Sequence, residues 1–243
     1  MPLVQPSEGL EELVDADSGR EIVVAPAVVN RFAELTKKYE QCLELGYGGR
    51  GWVQNNVQEV VLPCDINLFL QQTRDYEHHA NYSDSTGYFI TQLIQDSYNQ
   101  GNNNFEIDVN ALKPVDNLAA NISGTKERTV NIIIKGKVGN WCGFGAQHTT
   151  FTIEKAENWC GWEAQHSIFT IEEAGNWCGK NAKHSTFTIE EAGEGCGGWA
   201  QHSTFNTPNS NQYERFKDSI NKNYRNTIYL LSSDGSILKG GPW

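Results

Sequence analysis

From Val138 onward the chain repeats itself every 18 residues, as VGNWCGFGAQHTTFTIEK, AENWCGWEAQHSIFTIEE, AGNWCGKNAKHSTFTIEE and AGEGCGGWAQHSTFNTPN. Cys142, Cys160, Cys178 and Cys196 keep this period without a slip, and so do His148, His166, His184 and His202. A repeat without insertions means that each unit buries its apolar side only against its neighbours, which is the condition for a stacked solenoid. The period decides which solenoid. Eighteen residues cannot hold the two helices and a turn of a helical repeat, which takes about 33 residues or more. After each His the sequence alternates in steps of two, with Ser167, Phe169 and Ile171 on one side and His166, Ile168, Thr170 and Glu172 on the other. That is a strand pattern, rich in aromatic, Thr and Ile residues. The prediction is a mostly β fold, a parallel β-helix of 18-residue coils whose equivalent strands lie about 4.8 Å apart. In the second coil Ala156, Cys160, Ala164, Phe169 and Ile171 are expected to point inward.

The flanking sequence is of another kind. ERTVNIIIKGK (Glu127–Lys137) reads as a degenerate first coil. Before it, Val28, Phe32, Leu35, Tyr39 and Cys42 fall at steps of three and four and predict a helix over Pro26–Leu45. Val57–Leu62 reads as a strand, Asn67–Tyr76 as a short helix, Thr86–Gln100 as a second amphipathic helix and Phe105–Val109 as a strand. The expected organisation is a flexible acidic N-terminus over 1–24, an α+β capping domain over 25–113, the β-solenoid over 114–207 and a C-terminal cap over 208–243. That last segment contains an amphipathic helix over Tyr213–Tyr224 and two strands around the Ser-Asp-Gly turn of IYLLSSDGSILK. Caps are required because the ends of a solenoid expose core and unpaired strand edges.

The turn-and-strand pattern, clearest in EEAGNWCGKNAKHSTFTIEEAG, resembles the Gly-rich repeat of the GXGXG β-helix domain found at the end of glutamate synthase large subunits and in a small subunit of formylmethanofuran dehydrogenase. The resemblance covers 138–205, and Cys and His stand where that family mostly has aliphatic and Gly residues. It implies a right-handed β-helix used as a structural or docking element, with no active-site residue to carry over.

Charge narrows the partners. With 19 basic against 30 acidic side chains the net charge is −11, which argues against holding nucleic acid through its phosphates. The first residues, MPLVQPSEGLEELVD, have neither a basic nor an apolar stretch, so no secretory signal and no membrane association are expected, and a cytoplasmic location is the default. No cofactor is expected. Gly46-Tyr-Gly48-Gly-Arg-Gly51 fits G-x-G-x-x-G, but it follows a helix where a dinucleotide fingerprint must follow a strand; a Gly-rich loop is expected instead. No nucleophile elbow or phosphate loop is visible. An enzyme with its site in the N-terminal region stays open, but the chain leans towards no catalysis.

Three columns of the repeat are candidates for function. Trp141, Trp159 and Trp177 should stack outward beside the inward Cys, with Trp162 and Trp199 in the following turn; an exposed row of large aromatics marks an interaction face, and it competes with packing under a flanking domain. His148, His166, His184 and His202 should stack on the outer surface, either as a hydrogen-bonded ladder or as ligands of a divalent ion. The Cys column reads as core filling, with shared metal or disulfides as the alternatives. Cys42 and Cys64 are expected in the core of the first domain. Thr150 with Thr152 and Thr186 with Thr188 form a partial Thr-x-Thr array, interrupted by Ile168 and Asn206, whose flat geometry resembles ice-binding β-helices but also suits an ordinary strand surface. The reading is a non-catalytic structural or protein-interaction module that binds a protein partner or a second copy. The alternatives are a small-ligand binder, with metal at the His and Cys columns or carbohydrate on the Trp stack, and ice binding.

Overall fold

Each 18-residue unit closes into a coil because four of its positions adopt left-handed backbone. They are Trp159, Gly161, Glu163 and His166 in the second unit, with φ of 61°, 63°, 60° and 51°, and their counterparts one period away behave alike. The alternation of left- and right-handed residues turns successive N–H groups to opposite sides. Trp159 and Glu163 donate to the next coil, at Asn176 and Lys180, while Gly161 and Gln165 donate to the preceding one, at Cys142 and Ala146, over 2.8–2.9 Å. The corner is therefore as fully paired between coils as the strand that follows it. These bonds offset the cost of about 1–2 kcal/mol for each non-Gly residue held in the left-handed region.

The computed structural model describes residues 32–242; the expected flexible segment over 1–24 lies outside them. Among the described residues the strands form one eight-stranded sheet, in sequence order. They are β1 (Asn104–Asp108), β2 (Val130–Val138), β3 (Thr149–Ala156), β4 (Ile168–Ala174), β5 (Thr186–Ala192), β6 (Thr204–Thr207), β7 (Thr227–Leu231) and β8 (Ile237–Pro242). β1 to β7 pair in parallel, and β8 returns antiparallel on β7. The chain is thus a β-solenoid of about four turns, with helices on its N-terminal side and a hairpin at its C-terminal end. A narrow second edge is formed by single-residue parallel bridges through Ser123, Gln147, Gln165, Lys183 and Gln201.

The core is built from identical residues stacked in register. Phe151, Phe169, Phe187 and Phe205 form a column with ring centroids 4.6–5.1 Å apart and planes within 13° of parallel. Beside it run Ile153, Ile171 and Ile189, the four Cys and two columns of Ala, all buried. The inward set expected for the second coil is the set observed. Each Phe contributes about 1.5–3 kcal/mol through burial, and stacking with its neighbours adds about 0.5–1.5 kcal/mol beyond area. The glycine after each Cys serves this column too: a Cβ on Gly161 would stand 2.8–3.1 Å from the rings of Phe169 and Phe187.

Polar ladders tie the coils at two further positions. Asn140 donates through its backbone N–H and its Nδ2 to Asp116 Oδ1, and Asn158 does the same to Asn140. Asn176 and Glu194 continue the row through their backbone N–H groups, onto Asn158 Oδ1 and Asn176 Oδ1. Inside the coil the hydroxyls of Ser167, Ser185 and Ser203 each accept the backbone N–H of the residue one coil below at 3.2 Å. Buried polar groups are affordable here because each has a fixed partner.

The N-terminal helices are α1 (Ala33–Leu45), α2 (Gly49–Asn56), α3 (Pro63–Gln72) and α4 (Tyr82–Asn99). From Leu35 onward they belong to the same unit as the solenoid. α4 lies against the first turn: Thr91 Oγ1 accepts from Ala119, Gln95 Oε1 accepts from Ser123, and Tyr98 Oη donates to the Arg128 carbonyl. Asn67 and Gln71, one helical turn apart on α3, bond the N–H and C=O of Asp108 at 2.9 and 2.7 Å and so cover the free edge of β1.

Three local expectations are corrected. Val57–Leu62 is extended but pairs with no strand, because α3 already occupies the edge of β1; its alternation reflects Val57 and Val61 packing inward while Val60 and Leu62 stay exposed. The Gly-rich stretch is not a loop but a 3₁₀ turn (Gly46–Gly48) running into α2. Cys42 is buried as expected, but Cys64, in the first turn of α3, is exposed.

At the other end Asn209 caps α5 (Ser210–Ser219), accepting from Asn211 and Gln212 at 2.9 and 3.2 Å. Phe216 of α5 covers the last ring of the core column, 5.6 Å from Phe205.

Candidate functional site

The left-handed corners decide where the candidate side chains go. Cys142, Cys160, Cys178 and Cys196 point inward and are fully buried free thiols. Burial and sulfur contacts within the column dominate their ionisation, and the Arg215 charge opposes burial only at Cys196. Cys142 and Cys178 are pushed well up through their contact with Cys160 and their enclosure, and burial pushes Cys196 up to about 12. Cys160 sits lowest of the column, because the thiols of Cys142 and Cys178 can both donate to its sulfur. Enclosed on all sides, the four thiols fill the core of the coils.

The four His residues form a continuous outer stack. Centroids are 5.0 Å apart at each step, and the planes agree within 7°. Burial, then the charges of His148 and His184 on either side, hold His166 below the ordinary imidazole value. Parallel rings set their nitrogens side by side rather than converging on a point. Among the described residues no group of three or more His, Cys, Asp or Glu is placed to hold a metal ion.

The Trp residues gather along one corner. Trp141 and Trp159 stack at 4.7 Å with planes 15° apart, and Trp141 also meets Trp162 at 5.3 Å and Phe144 edge-on at 5.7 Å. These four are half-buried. Trp162 Nε1 donates to Glu163 at 3.1 Å. Further along, Trp177 and Trp199 are exposed by 39% and 59%. Between them stands Lys180, whose Nζ lies 4.6, 4.3 and 4.6 Å from the ring centroids of Trp162, Trp177 and Trp199. The three rings come from three successive coils. The last coil makes room for them: Gly195 and Gly198 occupy the positions held by Trp177 and Lys180 one coil below, and a Cβ on Gly195 would stand 2.4 Å from the Trp177 ring.

No family model, curated protein or solved structure matches this chain. The resemblance to the GXGXG repeat therefore rests on residue spacing alone. None of the helices in the described residues is long and apolar enough to cross a membrane.

Lys180 was not legible as part of a site. The signal lay in the alignment of the units, where a lysine falls in the column of Phe144 and Trp162 and so must lie among the rings of its neighbours. The outer threonines sit on the sheet surface at the expected positions, with Ile168 exposed by 48% among them, and Asn206 Nδ2 donates to Thr188 Oγ1 at 3.2 Å.

Proposed function

We propose that this chain is a non-catalytic β-solenoid whose tryptophan corner, made of Trp141, Trp159, Trp162, Trp177 and Trp199, is the contact surface for a protein partner or a second copy. The observation that carries this reading is the exposure of Trp177 and Trp199 at 39% and 59% on a corner tied between coils by the backbone bonds Trp177 N–H to Glu194, Asn181 N–H to Gly198 and Gly197 N–H to Cys178. Large exposed aromatics held rigidly lose little entropy on binding and supply the area on which interfaces depend. No covering element reaches them from within the described residues. The fixed spacing of the coils presents the rings as an ordered row, and that display is the mechanism. The test is a Trp177→Ala/Trp199→Ala variant, compared with wild type for self-association by sedimentation velocity and for partner capture from the source organism. Loss of an interaction at unchanged melting temperature is the expected result. Retention of every wild-type interaction overturns the reading.

A further inference from the structure

Among the exposed features of this molecule, Lys180 stands apart. Its ammonium lies 4.3–4.6 Å from three indole centroids, and among the described residues it makes no ion pair. The positive charge is held by ring faces, not by a carboxylate. Rings arranged this way, from Trp162 below, Trp177 in the same coil and Trp199 above, form an aromatic cage, the arrangement by which proteins recognise ammonium groups that carry methyl substituents.

We propose that this cage is a binding site for a quaternary ammonium group, with Lys180 as an internal occupant that the ligand displaces. The proposal rests on the reading of the tryptophan corner as the contact surface and gives that surface a ligand class. Three features support it. A primary ammonium is strongly hydrated and has three N–H donors, none of which finds an acceptor among the rings. A quaternary ammonium has no N–H to leave unsatisfied and a weaker hydration shell, so it gains the same ring attraction for less desolvation. Lys180 can also leave: its stem is flexible, and Gly198, whose added Cβ would still lie 4.0 Å from Lys180 Cγ, does not hold it in place. The net charge of −11 favours the approach of any cation.

The experiment titrates the full chain with tetramethylammonium chloride against sodium chloride at equal ionic strength, following Trp fluorescence and the indole N–H resonances. A second arm uses a trimethyl-lysine peptide and its unmodified counterpart, which separates a free small ligand from a modified protein side chain. A saturable response is expected from wild type. Lys180→Ala, which removes the internal competitor, should bind about tenfold more tightly, and adding Trp199→Ala should abolish the response. The proposal is overturned if neither wild type nor folded Lys180→Ala responds saturably, or if Lys180→Ala binds no more tightly than Lys180→Ala/Trp199→Ala. Failure here leaves partner capture through Trp177 and Trp199 untouched. Conversely, tetramethylammonium binding by a protein whose double Trp variant keeps every partner would sink only the broader reading.

Discussion

The backbone N–H of Ser203 donates to Oδ1 of Asn226 at 3.0 Å, where in each coil below the equivalent N–H donates to a serine hydroxyl one coil on. Asn226 thus stands in for the serine of a coil that does not exist. Its Nδ2 also donates to the Ala200 carbonyl at 2.7 Å, and the side chain is wholly buried. Replacing it with Leu leaves a buried N–H and a buried carbonyl without partners. The expected cost is about 2–6 kcal/mol, from about 1–3 kcal/mol for each of the two orphaned groups. A urea midpoint equal to wild type would show that the serine ladder needs no terminator.

Gly87 tests the docking of α4. On helix propensity alone Gly87→Ala should stabilise by about 0.5–1 kcal/mol. A Cβ there would stand 1.7 Å from the Asp116 carbonyl oxygen, so helix and first coil must separate. Separation would strain the bonds from Thr91 and Gln95 to the turn, so packing outweighs propensity and a loss of about 2 kcal/mol or more is expected. A rise in melting temperature would mean that α4 is loosely held.

These two sites mark what the sequence could and could not reveal. Period, strand and inward set were legible because stacking in register forces the same residue type into every coil, so Cys160, Phe169 and Ile171 announce themselves by recurrence. Asn226 and Asp116 were not, because each ends a ladder once and leaves no repeat to notice. The Val57–Leu62 strand failed because alternation reports one-sided burial and not pairing. Lys180 breaks the aromatic pattern of its column, so recurrence does not mark it, and only the rings around it give it meaning.

Thiol accessibility gives a direct count. Of six Cys, five are buried and only Cys64 is exposed. Burial pushes Cys42 up to about 11 and Cys196 up to about 12, so neither access nor thiolate favours reaction. Ellman's reagent should titrate one thiol quickly in the native protein and six after denaturation. Replacing Cys64 with Ser should remove the fast phase. A second fast thiol in the native state would mean that the coils open on the timescale of the assay.

The histidine stack is expected to make the fold sensitive to acid. Burial, then the neighbouring His148 and His184, hold His166 below its ordinary value in the native state. In the unfolded chain the same ring takes its proton near pH 6.5. Between these two values the unfolded state binds more protons, so stability must rise with pH and fall as pH drops through about 6.5 towards the lower native value. The loss stops growing once pH passes below that native value, because both states are then protonated. The expected observation is a melting temperature that declines on going from pH 7.5 to pH 5.5. His166→Gln should flatten this decline, because it removes the depressed ring. An equally steep decline in the variant would assign the acid sensitivity to groups outside the ladder.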